Sequence, residues 1–272
     1  MGSSKMKNFD RRYIEKQLEI IDSHLHKPLT LYIIGGGAMG FYDLKTATKD
    51  IDVIVTKEDE AISLLKALHE SEYKTIERIE PIYLKMKTRA VIENNDGFRW
   101  DIFVNIVCGG LTLSKEMISR AHLFKKFKYI TTYLVAPEDI FIFKAVTSRP
   151  RDREDMFILF SHGLDIKSIK QEIHRQAKLD MSKAWLSYFF VGLDELVEQY
   201  KIIFPEYDLF LKIAEHEMME RLIIEFTKKK PQTIDDLVTL LKCDKKEIKQ
   251  VLKNLEKQGI VTKKDDFYYI FE

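Results

Sequence analysis

The chain has 272 residues, 45% of them apolar, with 44 Lys and Arg against 43 Asp and Glu, a net charge of +1. That length suggests two domains with real cores, and the near-zero balance excludes a chain-wide polycation, so any basic patch must be local. No run of about eighteen apolar residues occurs, Met1 to Lys7 lacks an apolar signal core, and the distant cysteines Cys108 and Cys243 have no partner histidines; a soluble cytoplasmic protein without a disulfide framework or a zinc site is therefore expected.

Asp10 to His24 carries Tyr13, Leu18, Ile20 and Ile21 at near-helical spacing and predicts an amphipathic helix. It leads into Leu31 to Val55, the stretch around which the chain is organised. There the apolar strand Leu31 to Ile34 ends in Gly35, Gly36 and Gly37, whose bare backbone can bring several N–H groups to an anion. A short helix is expected over Ala38 to Leu44. Asp50 and Asp52 then open a second strand, Asp50 to Val55, and strand alternation puts both carboxylates on one face. Oxygen-only ligands in such a pair suit Mg²⁺, which binds through one or two carboxylates plus substrate phosphates. Two rivals stand beside this reading. Gly35-x-Gly37-x-x-Gly40 also satisfies the dinucleotide fingerprint, although there the acid closes the second strand rather than opening it. Otherwise the glycines only turn the chain and the aspartates lie on the surface.

Lys57 to Ser71 predicts a helix covering the sheet through Ala61, Ile62, Leu64, Leu65 and Leu68. Pro81 to Glu93 and Phe98 to Val107 flank Asn94-Asn95-Asp96-Gly97 and predict a hairpin. Asp101 lies inside the second of these strands, where an unpaired charge would be costly, so a partner or a function must hold it.

Pro137 to Ser148 predicts a helix, followed by the dense run Arg149-Pro150-Arg151-Asp152-Arg153-Glu154-Asp155. Arginine's planar fork suits bidentate phosphate contact and lysine acts as a point charge, while a solvated charge run opening the next helix fits the spacing equally. From Met156 to about Ala214 the pattern is helical, with Trp185, Tyr188, Phe189, Leu193 and Leu196 expected in a core. Beyond it, Glu217 to Lys228, Ile234 to Leu241 capped by Thr233, and Lys245 to Gln258 capped by Asp244 predict three helices, and Ile260 to Phe271 a hairpin, in the pattern of a winged helix-turn-helix. Lys245, Lys249, Lys253 and Lys257 form a stripe on the last helix, extended by Lys263 and Lys264 of the wing. Lysines without arginine favour backbone phosphates of RNA or DNA over base readout, and a solvated face in a protein-interaction domain is the bland alternative.

Strand, Gly35-Gly36, helix and Asp50-Ile51-Asp52 on the next strand resemble the signature of the polymerase-β-type nucleotidyltransferases. Gly37-Ala38-Met39 after the glycine pair, and a helix Lys before Pro-Arg-Asp-x-x-Asp, are similar to the AbiEii-type branch of toxins and relatives, with Gly where many members have Ser. The resemblance implies an α+β protein: a small mixed-sheet nucleotidyltransferase domain over residues 1–160, a helical connector over 161–214 and the winged helix over 215–272. It further implies that Asp50, Asp52 and Asp101 hold two Mg²⁺ ions, with Asp101 as ligand or proton acceptor. Gly35, Gly36, Gly37 and Lys144 would hold a nucleoside triphosphate, Arg149 or Arg151 phosphate or acceptor, and Asp152 or Asp155 would fix the basic side chains. The expected activity is transfer of a nucleoside monophosphate to a hydroxyl of RNA or protein, in a toxin–antitoxin setting with a protein acceptor or antitoxin as partner. A nucleic-acid-binding regulator whose transferase domain only binds nucleotide is the alternative.

Overall fold

Helix α1 (Arg11–Ser23) begins where the Asp10 side chain accepts the Tyr13 N–H at 2.9 Å, and it runs into β1 (Leu29–Ile34), α2 (Gly35–Phe41) and β2 (Asp50–Val55). The structure, a computed structural model, describes residues 9–77 and 86–271. The glycines are the first turn of α2 rather than a loop before a helix at Ala38, because bare backbone lets the chain wind up directly against the strand. After α3 (Glu58–Glu70) come β3 (Lys74–Thr75), β4 (Ala90–Glu93) and β5 (Arg99–Val104). Of the strand expected over Pro81 to Glu93, residues 81–85 lie outside the described residues and the strand begins at Ala90. The companion strand expected to reach Val107 stops at Val104, since Asn105 turns into the left-handed region at φ 54°. A separate ribbon follows, β6 (Ile106–Val107) with β7 (Leu111–Thr112), then α4 (Lys115–Arg120) and the hairpin β8 (His122–Lys126) and β9 (Ile130–Leu134).

Among the described residues seven strands form one mixed sheet in the order β3-β4-β5-β2-β1-β9-β8. β2 is its centre, antiparallel to β1 and parallel to β5. Ile51, Val53, Ile54 and Val55 are all fully enclosed, as a strand covered on both faces requires, and each such side chain contributes about 1.5–3 kcal/mol. The aspartates at its start are the exception to that apolar run. Asp22 ties α1 to the β8–β9 turn by accepting the N–H groups of Lys128, Tyr129 and Ile130 at 3.1, 2.7 and 2.7 Å.

The second layer is helical: α5 (Pro137–Ala145), α6 (Pro150–His162), α7 (Ile166–Leu179) and α8 (Trp185–Tyr200). α5 lies inside this group with Ile140, Phe141, Ile142 and Phe143 buried. Gly192 of α8 rests on the Ala145 carbonyl, where any Cβ would collide, so this glycine sets how closely α8 approaches α5. Trp185, Phe189, Leu193 and Leu196 are buried as expected, whereas Tyr188 is 46% exposed, one step off the inward face. Arg120 of α4 fastens the layers, reaching Asp139 at 2.6 Å and Glu172 at 2.9 Å. Ile140 to Phe143, Trp185, Phe189, Leu193 and Leu196 belong to one hydrophobic cluster with the sheet.

A smaller cluster gathers Ile223, Leu237, Ile248, Val251, Leu252, Leu255, Val261 and Tyr268. It lies between the end of α9 (Tyr207–Lys229), α10 (Ile234–Leu241), α11 (Lys245–Lys257) and the hairpin β10 (Val261–Lys264) with β11 (Phe267–Ile270). Thr233 and Asp236 form a capping box at α10, Asp244 caps α11, and Gly259 stops it at φ 70°. α9 is continuous through residue 214, where the sequence suggests a division. No helix among the described residues is long and apolar enough to cross a membrane.

Candidate active site

Strand alternation puts Asp50 and Asp52 on one face, and the parallel register sets Arg99 beside Asp50 and Asp101 beside Asp52. Three carboxylates and one guanidinium therefore share a patch of two adjacent strands. Arg99 donates from Nη2 to Asp50 Oδ2 at 2.9 Å, and the Thr48 hydroxyl lies 3.5 Å from Asp50 Oδ1. Asp101 is buried, and its Oδ1 has no hydrogen-bond partner among the described residues. Burial, then the charge of Asp50, push the Asp52 carboxyl above the usual range, although part of its surface still meets solvent and Lys144 and Arg149 pull the other way. Burial, then Asp52 and Asp50, raise Asp101 likewise, against Arg99 and Arg149. The Asp52 and Asp101 charges thus lack an equivalent of the Asp50–Arg99 pair, the condition in which a cation from solution is favoured.

Gly35 packs under Asp52. Its φ is +62°, and the Asp52 carboxylate occupies the space a Cβ would need. A Cβ added at Gly36 would lie 3.1 Å from Thr48 Oγ1, whereas one added at Gly37 would lie between Ile33 and Ile51 at 3.5 and 3.4 Å. The first amides of α2 take no side-chain cap, which leaves them as donors beside the carboxylates.

The second charged run folds against this patch. Lys144 on α5 is 8% exposed, with Nζ 2.8 Å from both Asp152 and Asp155. Arg149, at the start of α6, donates from Nε to Asp152 Oδ2 at 2.8 Å, Thr147 donates to the same oxygen, and Lys45 pairs with Asp155. Burial opposes the Lys144 charge, but the two aspartates outweigh it and raise its pKa. Burial would raise Asp152, yet Lys144 and Arg149 hold it below the usual carboxylate range. Asp152 thus pairs with Lys144 and Arg149, and Asp155 with Lys144 and Lys45. The Lys144 amine is enclosed by the two aspartates, while the Arg149 side chain keeps 36% exposure and its charge is felt at Asp52 and Asp101. Arg151 is exposed on the outer side of α6. Arg153 turns inward, donating to the Lys144 carbonyl at 2.9 Å and to Glu195 at 2.8 Å.

Arg99, Thr48, Lys45 and Thr147 were not singled out in the sequence. Only Arg99 carried a usable signal, its spacing of two residues from Asp101 on a strand. Cys108 is half-buried rather than enclosed, and burial pushes its thiol up to about 12. Cys243 is half-buried as well. Among the described residues no three His, Cys, Asp or Glu side chains close around a point that could hold a metal unaided. Mg²⁺ does not require this, since it is held by one or two carboxylates and completed by substrate phosphates and water.

On α11 the stripe is exposed, with Lys245 tied to Asp235 at 2.5 Å and Lys263 over the Tyr268 ring at 5.8 Å. Among the described residues Lys249, Lys253, Lys257 and Lys264 take no ion pair. An open cleft between α7 and α9, lined by Lys170, His174, Lys178, Leu209 and Ile213, lies on another part of the surface.

Residues 12–201 match the profile of a family described as "Nucleotidyltransferase of unknown function (DUF6036)". No curated protein matches the chain.

Proposed function

The chain belongs to this family of nucleotidyltransferases of unknown function, and from that premise we propose a Mg²⁺-dependent enzyme that moves a nucleoside monophosphate from a nucleoside triphosphate to an acceptor hydroxyl, in the manner of the AbiEii-type branch. The observation that carries the reading is the register that sets Asp101 beside Asp52, next to the glycine turn of α2. The unpartnered Oδ1 of buried Asp101 fits a cation or a proton as its missing partner.

Asp50, Asp52 and Asp101 would hold the metal. When bound, Mg²⁺ supplies charge neutralisation for the triphosphate and for the leaving pyrophosphate. The Gly36 and Gly37 amides donate to phosphate oxygens at the start of α2. Arg149 presents its fork to the phosphates, and Lys144, through Asp152, holds that fork in place rather than reaching the nucleotide itself. Where Asp101 does not ligate the metal, it accepts the proton of the attacking hydroxyl. The C-terminal helices and hairpin act as a winged helix whose lysine stripe holds an RNA acceptor by its phosphates, in a toxin–antitoxin system.

Calorimetry tests the reading. Mg²⁺ and triphosphate together should bind and stabilise the protein more than the sum of each alone, because each completes the other's coordination. Asp52→Asn should abolish the synergy without unfolding the protein. Equal nucleotide affinity in the presence of EDTA would refute the metal's role.

A further inference from the structure

The C-terminal hairpin has two unlike faces. Residues opposite each other in an antiparallel pair share a face, so the register puts Val261, Lys263, Tyr268 and Ile270 on one side and Thr262, Lys264, Phe267 and Tyr269 on the other. Val261 and Tyr268 belong to the smaller hydrophobic cluster. Phe271 extends the second side by one more alternate position, donating its N–H to the Ile260 carbonyl at 2.9 Å. Phe267 is 43% and Phe271 63% exposed, with Tyr269 half-buried between them. Three aromatic rings thus stand in a row at steps of about 7 Å, and among the described residues none of them meets another ring or a cation. The row is not an edge awaiting another strand. Away from β10, Tyr268 exchanges two backbone hydrogen bonds with Gln232, at 3.2 and 2.8 Å, so what lies open is the face.

The surroundings of that face are basic. Lys264 stands opposite Phe267 and has no ion pair among the described residues. Lys257, the last of the α11 stripe, comes three residues before Ile260, the partner of Phe271. Three residues span at most about 11 Å, so the row of rings begins where the stripe ends. The acids Asp265 and Asp266 sit in the turn, at the other end of the row. Exposed rings beside lysines suit a ligand with flat faces on a phosphate chain, since bases stack on aromatic side chains while lysines answer the backbone. Bases inside a duplex keep those faces covered by their neighbours.

We propose that the outer face of the hairpin, Phe267, Tyr269 and Phe271 with Lys264, is a stacking platform for unpaired bases, so that the RNA held by the α11 stripe is single-stranded there. The inference rests on the RNA reading above and narrows it to one class of acceptor.

The test measures binding of three labelled probes to the full chain: a single-stranded oligoadenylate, an abasic strand of the same length, and a duplex RNA. Wild type should bind oligoadenylate about tenfold or more tightly than either of the others. Phe267→Leu/Phe271→Leu keeps apolar bulk but removes two π-faces; it should lose most of that preference and keep the salt dependence. Lys249→Gln/Lys253→Gln should do the reverse. Equal binding of the three probes by wild type, or an undiminished preference in the phenylalanine variant, overturns the platform and leaves the RNA reading standing. A wild-type dimer that the phenylalanine variant abolishes assigns the face to a second copy and also overturns the platform. No salt-sensitive binding of any probe overturns the RNA reading itself.

Discussion

Two demands meet at Gly35: a left-handed backbone at φ +62°, and a carboxylate in the space where a Cβ would begin. A side chain there costs about 1–3 kcal/mol in backbone strain alone and displaces Asp52 from its neighbours. At Gly37, two positions on, an added Cβ would meet Ile33 and Ile51 at ordinary contact distances of 3.5 and 3.4 Å, and the backbone is one that any residue adopts. We therefore predict that Gly35→Ala lowers stability by about 1–3 kcal/mol, while Gly37→Ala is neutral or gains up to about 1 kcal/mol of helix propensity. Urea unfolding of the two variants measures both, and equal effects would mean that the contact with Asp52 is not what requires the first glycine. Around that contact the patch is a matter of single charges. Asp50 is answered by Arg99, Asp101 has an oxygen without a partner among the described residues, and the functional reading follows from this difference.

At the scale of elements, α5 and α6 are joined by a buried ion cluster in which Lys144 is shared by Asp152 and Asp155. The Asp152 carboxyl is held below its ordinary range, so its contribution to folding is present above the unfolded carboxylate pKa of about 4 and is lost as pH falls through that value and below it. We predict a fall in melting temperature as the protein is taken from pH 5 to pH 3. In Asp152→Asn the fall should be shallower and start from a stability about 3–5 kcal/mol lower at pH 7, since a buried pair has been broken. Parallel acid titrations of the two proteins would show identical slopes if the cluster were solvated. Little of this cluster was legible beforehand. The sequence showed Lys144, Asp152 and Asp155 as chemistry at close spacing, but burial of the amine depends on how α6 folds back on α5 across the Thr147 to Arg149 turn, and no local pattern encodes that. Strand alternation, by contrast, is local, so Asp50 and Asp52 were readable as a pair. Their meeting with Asp101 is set by the β2–β5 register, which pairs residues 49 positions apart. The helix caps at Thr233 and Asp244 were equally readable, because each is a contact within three residues.

For the molecule as a whole the charges nearly cancel, so any attraction to a nucleic acid must come from one face. Lys249, Lys253 and Lys257 offer such a face, exposed along α11. If they follow a phosphate backbone, binding to structured RNA should weaken with salt, and Lys249→Gln/Lys253→Gln should reduce the slope of log affinity against log salt by about one per lysine without altering sequence preference. Binding measured at several salt concentrations gives the slope directly, and an unchanged slope would assign the stripe to solvent and favour a protein acceptor. The helix that carries the stripe and the strands that carry the carboxylates pack into different hydrophobic clusters, and α9 enters both, with Phe210 in that of the strands and Ile223 in that of α11. Its 23 residues run unbroken, which at about 1.5 Å per residue makes a rod of roughly 35 Å. With both ends embedded in packed cores the rod fixes a span, so if the proposed RNA acceptor is gripped at α11 and its end reaches Asp101, acceptors would be sorted by length.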